Sequence, residues 1–415
     1  MADNSAERND PRQAPFSRTA NQHEQGKLII GSFKDQPQVG QRQHHQYPPG
    51  QQAQQQVPPA AAYANVQQSA SSQAERRRGP RRRSRGCLIA TIVVLVLACI
   101  LGSLVVSTTQ RVLAFGSAIS TQAPLSTQNN YMNTSERTNL LVMGFGGVTH
   151  DGAYLTDSMI VISLLPGSHH TSLISTPRDL IVQVPEGSGR YGKINSVYEY
   201  GSNFGKDRVA GGDAAAKKIS AVIGLPVQYW MMIDFIGFKK VIDAIGGVDV
   251  SIPTTFNACY PKNDDAAKDA SWIKVQFNKG VEHMNGARAI QYARAREPME
   301  VCGLGKSQNF AELTDFGRSA RQQIIIKAAL AQVKQITTWP KLLDAMDALQ
   351  QTIYTNLSLA DLAQFSLKMD LNDPHAARVG LSLRNVLEED HAYNLHPAGN
   401  DWNVIANYVK QNLYN

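Results

Sequence analysis

The feature that most constrains this chain is an uncharged apolar run, Cys87 to Ser107, which follows directly on seven arginines within ten positions, Arg76 to Arg85. At a rise of about 1.5 Å per residue, some 20 helical residues cross the roughly 30 Å hydrocarbon core of a bilayer. A helix inside a soluble domain is rarely apolar on every face for that length. Positive flanks stay on the cytoplasmic side. The run therefore reads as a single-pass membrane anchor, with the N-terminus cytoplasmic and everything beyond about residue 110 outside. A cleaved leader would have a shorter apolar stretch and a shorter tail before it. Val96-Leu97-Ala98-Cys99 has some likeness to a lipoprotein cleavage box, but the apolar run continues past Cys99. The arginines also account for the formal net charge of +7. The remainder is near neutral, which speaks against a basic nucleic-acid-binding surface.

The segments around the anchor differ in character. Residues 1–86 are rich in Gln, Pro, Ala and Ser and poor in large apolar side chains. Such a segment cannot bury enough surface to offset its ordering entropy, so it reads as a disordered cytoplasmic tail. Residues 87–107 form the transmembrane helix and the polar residues 108–137 a stalk. From residue 138, short apolar strands (Asn139–Gly144, Ser158–Leu165, Thr171–Thr176, Val227–Phe235, Val248–Ile252) alternate with helical stretches (Asp213–Ile223, Gly237–Ile245). That order predicts an α/β fold, an α-β-α sandwich around a central mixed sheet. A domain over 138–330 would be followed by a mostly helical extension, 331–415, packed on it.

Three local patterns carry possible chemistry. With a turn centred near Gly167-Ser168, the strands on either side pair antiparallel, and Asp157 falls opposite Arg178 at one sheet edge. Alone, that pair reads as a simple surface salt bridge, common and worth little. In Ala289–Arg296, read as a strand, Ile290, Tyr292, Arg294 and Arg296 share one face. Two guanidiniums so placed suit a common anion; a strand end emerging into solvent is the alternative. In Asp315–Gln323, Asp315 is a candidate helix N-cap, and Arg318 and Gln322 stand on the stripe that continues through Ile325 and Ala329. The sequence has no P-loop, no complete dinucleotide-binding glycine motif, no zinc-type Cys/His spacing and no serine elbow. Cys259 and Cys302 both lie on the outer side, where an oxidising compartment permits a disulfide between them; the sequence leaves that pairing open.

The stretches NLLVMGFGG, LTDSMIVISL, SLISTPRDL, KINSVYEYG, DFIGFKKVIDAIGGVDVSIP, MNGARAIQYARAR and DFGRSARQQ, in this order, resemble the LytR-CpsA-Psr family of cell-wall glycopolymer transferases. The resemblance implies a membrane-anchored phosphotransferase that moves a glycopolymer, with one phosphate, from a polyprenyl-pyrophosphate carrier to a hydroxyl of peptidoglycan. It implies that the lipid tail enters an apolar cleft between sheet and helices. Carried over by position, Arg178, Arg294, Arg296, Arg318 and Gln322 would hold the phosphates, with Arg178, Asp179 and Arg318 the catalytic set. Asp179 would orient Arg178 or assist proton removal. Lys193 and Asn195 would line the same cleft, and Asp157 would bind Mg²⁺. The family's aspartate in the first loop is here Gly146, which leaves Asp151 in the same loop as a substitute metal ligand. A pyrophosphatase side activity stays open. The alternative is a non-catalytic, membrane-tethered binder of polyprenyl phosphates.

Overall fold

The computed structural model describes residues 85–414 apart from 128–129, 149, 151, 265–270, 371–372 and 374–375. The expected disordered tail and Asp151 thus lie outside the described residues.

Helix α1 (Arg85–Ile119) contains the apolar run. Its segment Leu88–Ile119 contains an 18-residue stretch with a mean hydropathy of 3.0 and is long and apolar enough to cross a membrane. The helix outlasts the expected span at Ser107. The hydroxyls of Thr108 and Thr109 donate to the carbonyls of Leu104 and Val105, each at 2.8 Å, so polar residues continue the helix without unmet side-chain groups. Its last turns join the folded domain: Phe115 and Ile119 pack with Leu349 and Ile353. Residues 108–137, expected as a polar stalk, are therefore helical as far as Ile119. Their other end is tied down by Arg137, which is buried and donates through Nη2 to the Leu413 carbonyl at 2.7 Å.

The central sheet is built on β1 (Thr138–Phe145), β2 (Thr156–Leu165) and β3 (His170–Ser175), with antiparallel neighbours. The β2–β3 register runs from Leu165 opposite His170 to Ile160 opposite Ser175, as the turn position predicts. A small hairpin, β4 (Ile181–Gln183) and β5 (Tyr191–Lys193), follows, then the short α2 (Val197–Gly201) and the longer α3 (Arg208–Ile223). Strand β6 (Tyr229–Asp234) pairs parallel to β1. Helix α4 (Phe235–Ala244) leads into a smaller lobe of two two-stranded ladders. In it β7 (Val248–Ile252) pairs with β10 (Gly280–Met284), and β8 (Phe256–Pro261) with β9 (Trp272–Phe277). Helices α5 (Gly286–Arg294), α6 (Asp315–Val333), α7 (Trp339–Leu349) and α8 (Leu359–Lys368) come next. Strand β11 (Ile353–Thr355) lies between α7 and α8; β12 (Arg378–Gly380), the hairpin β13 (Leu387–Glu389) and β14 (Leu395–Pro397), and α9 (Trp402–Tyr414) close the chain.

The sheet order is β11-β6-β1-β2-β3-β12, with parallel and antiparallel neighbours. Its strands are apolar on both faces, as a sheet covered by helices on both sides must be. Leu141, Met143 and Trp230 face Ile219 and Ile223 of α3 and Ile405 and Val409 of α9. Leu140, Ile162 and Tyr229 face Leu330 of α6 and Phe365 of α8. This is the expected α-β-α sandwich. Both edge strands, β11 and β12, come from beyond residue 331, so the region read as a helical extension completes the sheet.

Ala289–Arg296 is a correction. Ala289 to Arg294 belong to helix α5, whose N-cap Asn285 accepts from the Arg288 N–H. Ile290 and Ala293 are buried at helical spacing. The alternation of Ile290, Tyr292 and Arg294 has period 2 by coincidence, and the cap with an alanine-rich turn favours the helix. Helix α6 begins one residue away from the expected cap: Thr314 accepts from the Gly317 N–H, and Asp315 is the first helical residue.

Candidate functional site

The β2–β3 hairpin brings Asp157 and Arg178 together at one sheet edge: Arg178 Nη1 donates to Asp157 Oδ1 at 2.7 Å. Arg318, one turn into α6, donates from Nη2 to the Asp157 carbonyl at 3.3 Å and lies 3.0 Å from Asp315 Oδ1. Arg296, just past α5, reaches Asp315 Oδ1 at 3.6 Å and Glu297 Oε1 at 3.2 Å. Arg294, in the last turn of α5, donates from Nη1 to the Tyr260 hydroxyl at 3.2 Å and the Asp264 carbonyl at 2.9 Å. All four arginines, with Asp157 and Gln322, line one cavity of about 480 Å³. The two arginines of the α5 region reach it without sharing a strand face.

The cavity is electrostatically hungry for an anion. Arg318 is 6% exposed, and burial pushes its guanidinium down to about 10, opposed by Asp315. It remains a cation at neutral pH, held at a desolvation cost that an incoming anion would lower. Burial also pulls Arg178 down, but the charges of Asp157, Asp315 and Asp179 outweigh it and raise the group. The Nε atom of Arg318 is buried without a hydrogen-bond partner. An orphaned charged donor of this kind fits a ligand rich in acceptor oxygens.

Lys193, Asn195 and Asp179 do not line this cavity, which corrects the expectation that Lys193 and Asn195 share the cleft. They brace Arg178 from behind. Asp179 lies 3.5 Å from Arg178 Nε and accepts from Lys193 Nζ at 2.6 Å. Burial alone would raise the Asp179 carboxyl, but the Lys193 hydrogen bond and the Arg178 charge hold it below the usual carboxylate range. The Asn195 N–H donates to the Arg178 carbonyl at 3.3 Å.

Three contributors escape the sequence patterns. His150 and Tyr260 line the cavity and contact Arg294. Arg321 is 1% exposed and donates to main-chain carbonyls of Tyr292 (2.7 Å), Ala295 and Glu312. It thereby ties the end of α5 to α6 and sets where Arg294 and Arg296 emerge. It stood inside the DFGRSARQQ motif without a signal to separate it from Arg318. The disulfide Cys259–Cys302 is formed, with Cα atoms 6.4 Å apart, and Cys259 lies on the cavity wall.

A second, apolar cleft adjoins the first. It measures about 90 Å³ and is lined by Val142, Ile233, Phe238, Ile290, Ile325 and Ile326 between sheet and helices. Ser158, Phe235, Arg294 and Gln322 belong to both spaces. The combined site matches an amphiphile with an anionic head.

As to a metal, no group of three or more His, Cys, Asp or Glu is arranged to hold one among the described residues. Asp157 is the one carboxylate of the expected metal set in the described cavity wall. Mg²⁺ commonly takes one or two carboxylates, phosphate oxygens and waters, so Asp157 fits an ion that arrives with a phosphate ligand rather than a preformed metal centre.

The fold and site together define an α/β protein that carries one helix long and apolar enough to cross a membrane and an arginine-lined cavity opening on an apolar cleft. The LytR_cpsA_psr family model matches residues 103–393, and the chain belongs to that family. It is 29% identical over 208 residues to polyisoprenyl-teichoic acid–peptidoglycan teichoic acid transferase TagV of Bacillus subtilis (strain 168), covering 50% of this chain and 46% of the relative. It is 26% identical over 234 residues to the TagU enzyme of the same description from Bacillus cereus, covering 56% and 64%. The chain thus spans about half to two thirds of the length of these relatives. The crystal structure of B. subtilis TagV aligns at a TM-score of 0.49 and 22% identity, over 68% of this chain and 98% of that one. TagT bound to LI-WTA aligns at 0.46 and 20% identity, over 67% and 91%.

Proposed function

We propose that this protein is a membrane-anchored phosphotransferase that moves a glycopolymer from a polyprenyl-pyrophosphate carrier to peptidoglycan. One observation carries the reading: four arginines and Asp157 line a cavity that shares a wall with an apolar cleft. The pyrophosphate lies among the guanidiniums and the first isoprene units enter the cleft. The names of the relatives, which describe teichoic acid transferases, support the same class.

In the reaction, an acceptor hydroxyl attacks the phosphorus next to the glycopolymer. The P–O bond to the carrier's terminal phosphate breaks, polyprenyl phosphate leaves, and the hydroxyl proton passes to solvent. Arg178, Arg294, Arg296 and Arg318 neutralise the bridging and leaving oxygens, and Gln322 offers an amide at the junction with the cleft. Asp179 orients Arg178 and does not itself reach the cavity. Bound Mg²⁺, held by Asp157, would supply further charge neutralisation. The domain works outside the membrane with the arginine-flanked tail inside. The arginine run supports this orientation, and so does the disulfide, which suits an oxidising compartment.

The test is full-length protein in vesicles with a polyprenyl-pyrophosphate oligosaccharide, peptidoglycan and Mg²⁺. A phosphodiester-linked product is expected. Arg178→Ala and Asp157→Asn should each lower turnover on the order of 10²–10³-fold, the usual cost of losing a charge-stabilising group. Lipid binding without product would sink the reading. It would favour the second one, a non-catalytic binder, which the lack of a preformed metal cluster among the described residues motivates. That reading expects binding indifferent to Mg²⁺ and to Asp157→Asn.

A further inference from the structure

We infer that His150 is a positioning residue that holds Arg294 in place for the pyrophosphate, using the space above Gly146. The inference rests on the pyrophosphate reading of the cavity and adds a residue that the sequence motifs do not contain.

The geometry is specific. His150 Nε2 lies 3.1 Å from Arg294 Nη2. A guanidinium only donates, so Nε2 accepts, and the ring proton sits on Nδ1. The Asp264 carbonyl is 3.3 Å from the same ring nitrogen, which would suit the opposite tautomer. That carbonyl already accepts from Arg294 Nη1 at 2.9 Å, so it does not require the imidazole as a donor. The imidazole is itself held edge-on to Phe235, with centroids 5.4 Å apart. The same Phe235 ring carries the Arg294 guanidinium at 3.9 Å. Arg294 is thus fixed by an aromatic face, a phenol, a carbonyl and an imidazole. Such a side chain gives up little further rotamer freedom when an anion binds.

Gly146 is what makes room. A Cβ built there would meet His150 Cβ at 2.6 Å, Cγ at 2.7 Å and Nδ1 at 2.9 Å. Any side chain at 146 would displace the imidazole. The loop therefore carries either a side chain at 146 or the His150–Arg294 contact. This chain has the second.

The experiment measures binding of farnesyl pyrophosphate to the full-length protein in detergent by calorimetry, alongside thermal melting. A hydrogen bond to a charged group supports an expected loss of roughly tenfold or more for His150→Ala. His150→Gln, whose amide oxygen also accepts, should recover most of it. Gly146→Ala leaves His150 chemically intact but should weaken binding similarly. The double variant His150→Ala/Arg294→Ala should bind no more weakly than Arg294→Ala alone, because His150 acts through Arg294. Wild-type binding by His150→Ala, or losses that add in the double variant, would overturn the assignment while leaving the pyrophosphate reading intact. If Arg294→Ala binds like wild type, or wild type does not bind, both fall together.

Discussion

At the residue scale, the site is a group of cations held where they are costly. Arg318 is almost fully buried and its Nε has no partner, a state that persists because Asp315 and Asp157 sit beside it. Its planar fork makes contacts that a lysine cannot copy. Arg318→Lys should keep the fold, with little change in melting temperature, yet lower turnover by about tenfold or more in the vesicle assay. Asp179 makes a separate, pH-dependent prediction. Its carboxyl is held below the ordinary value of about 3.9. Its contribution to stability is therefore complete above that ordinary value and disappears as pH falls through the lower folded value. Asp179→Asn should be less stable than wild type from pH 7 down to about 4, and the two melting curves should converge below that.

At the element scale, much was legible where the determinants are local. Pro166-Gly167-Ser168 sets a hairpin register, and the register alone places Asp157 against Arg178. Helix α5 was misread because Ile290, Tyr292, Arg294 and Arg296 happen to alternate; the N-cap signal lay upstream, at Asn285. His150 was illegible for another reason. It meets Arg294 from 144 residues away, through a loop with no periodicity to read. The placement of α5 also depends on Gly286, where a Cβ would fall 2.2 Å from the Lys239 carbonyl of α4. Gly286→Ala should push the two helices apart at a cost of about 1–3 kcal/mol, read by denaturant unfolding. It should also weaken pyrophosphate binding, since Arg294 rides on the far end of α5. The disulfide gives the complementary case. It closes a loop with a sequence separation of 43. In the chain-entropy model Cys302→Ser should cost about 4 kcal/mol of stability.

At the scale of the whole molecule, the long apolar helix and the domain are joined by direct packing. The last turns of α1 pack on α7 and β11, and β11 is an edge of the sheet whose other strands carry Asp157 and lead into Arg178. A helix of 35 residues spans about 52 Å, more than the roughly 30 Å hydrocarbon core. The end of the helix is continuous with the domain, so on the proposed anchored reading the cavity would be held at a limited height above the bilayer rather than on a flexible tether. This makes anchoring a matter of geometry as well as of local concentration. Two changes separate the effects. Removing residues 1–107 should leave binding of a detergent-dispersed pyrophosphate nearly unchanged, while turnover of a bilayer-embedded donor falls steeply. Inserting a long Gly/Ser segment after Gln110 keeps the anchor but breaks the rigid link, and turnover on vesicles should fall with binding in detergent intact. Full vesicle activity in the insertion variant would show that tethering alone is enough and that the continuity of α1 with the domain has no part in delivering the donor.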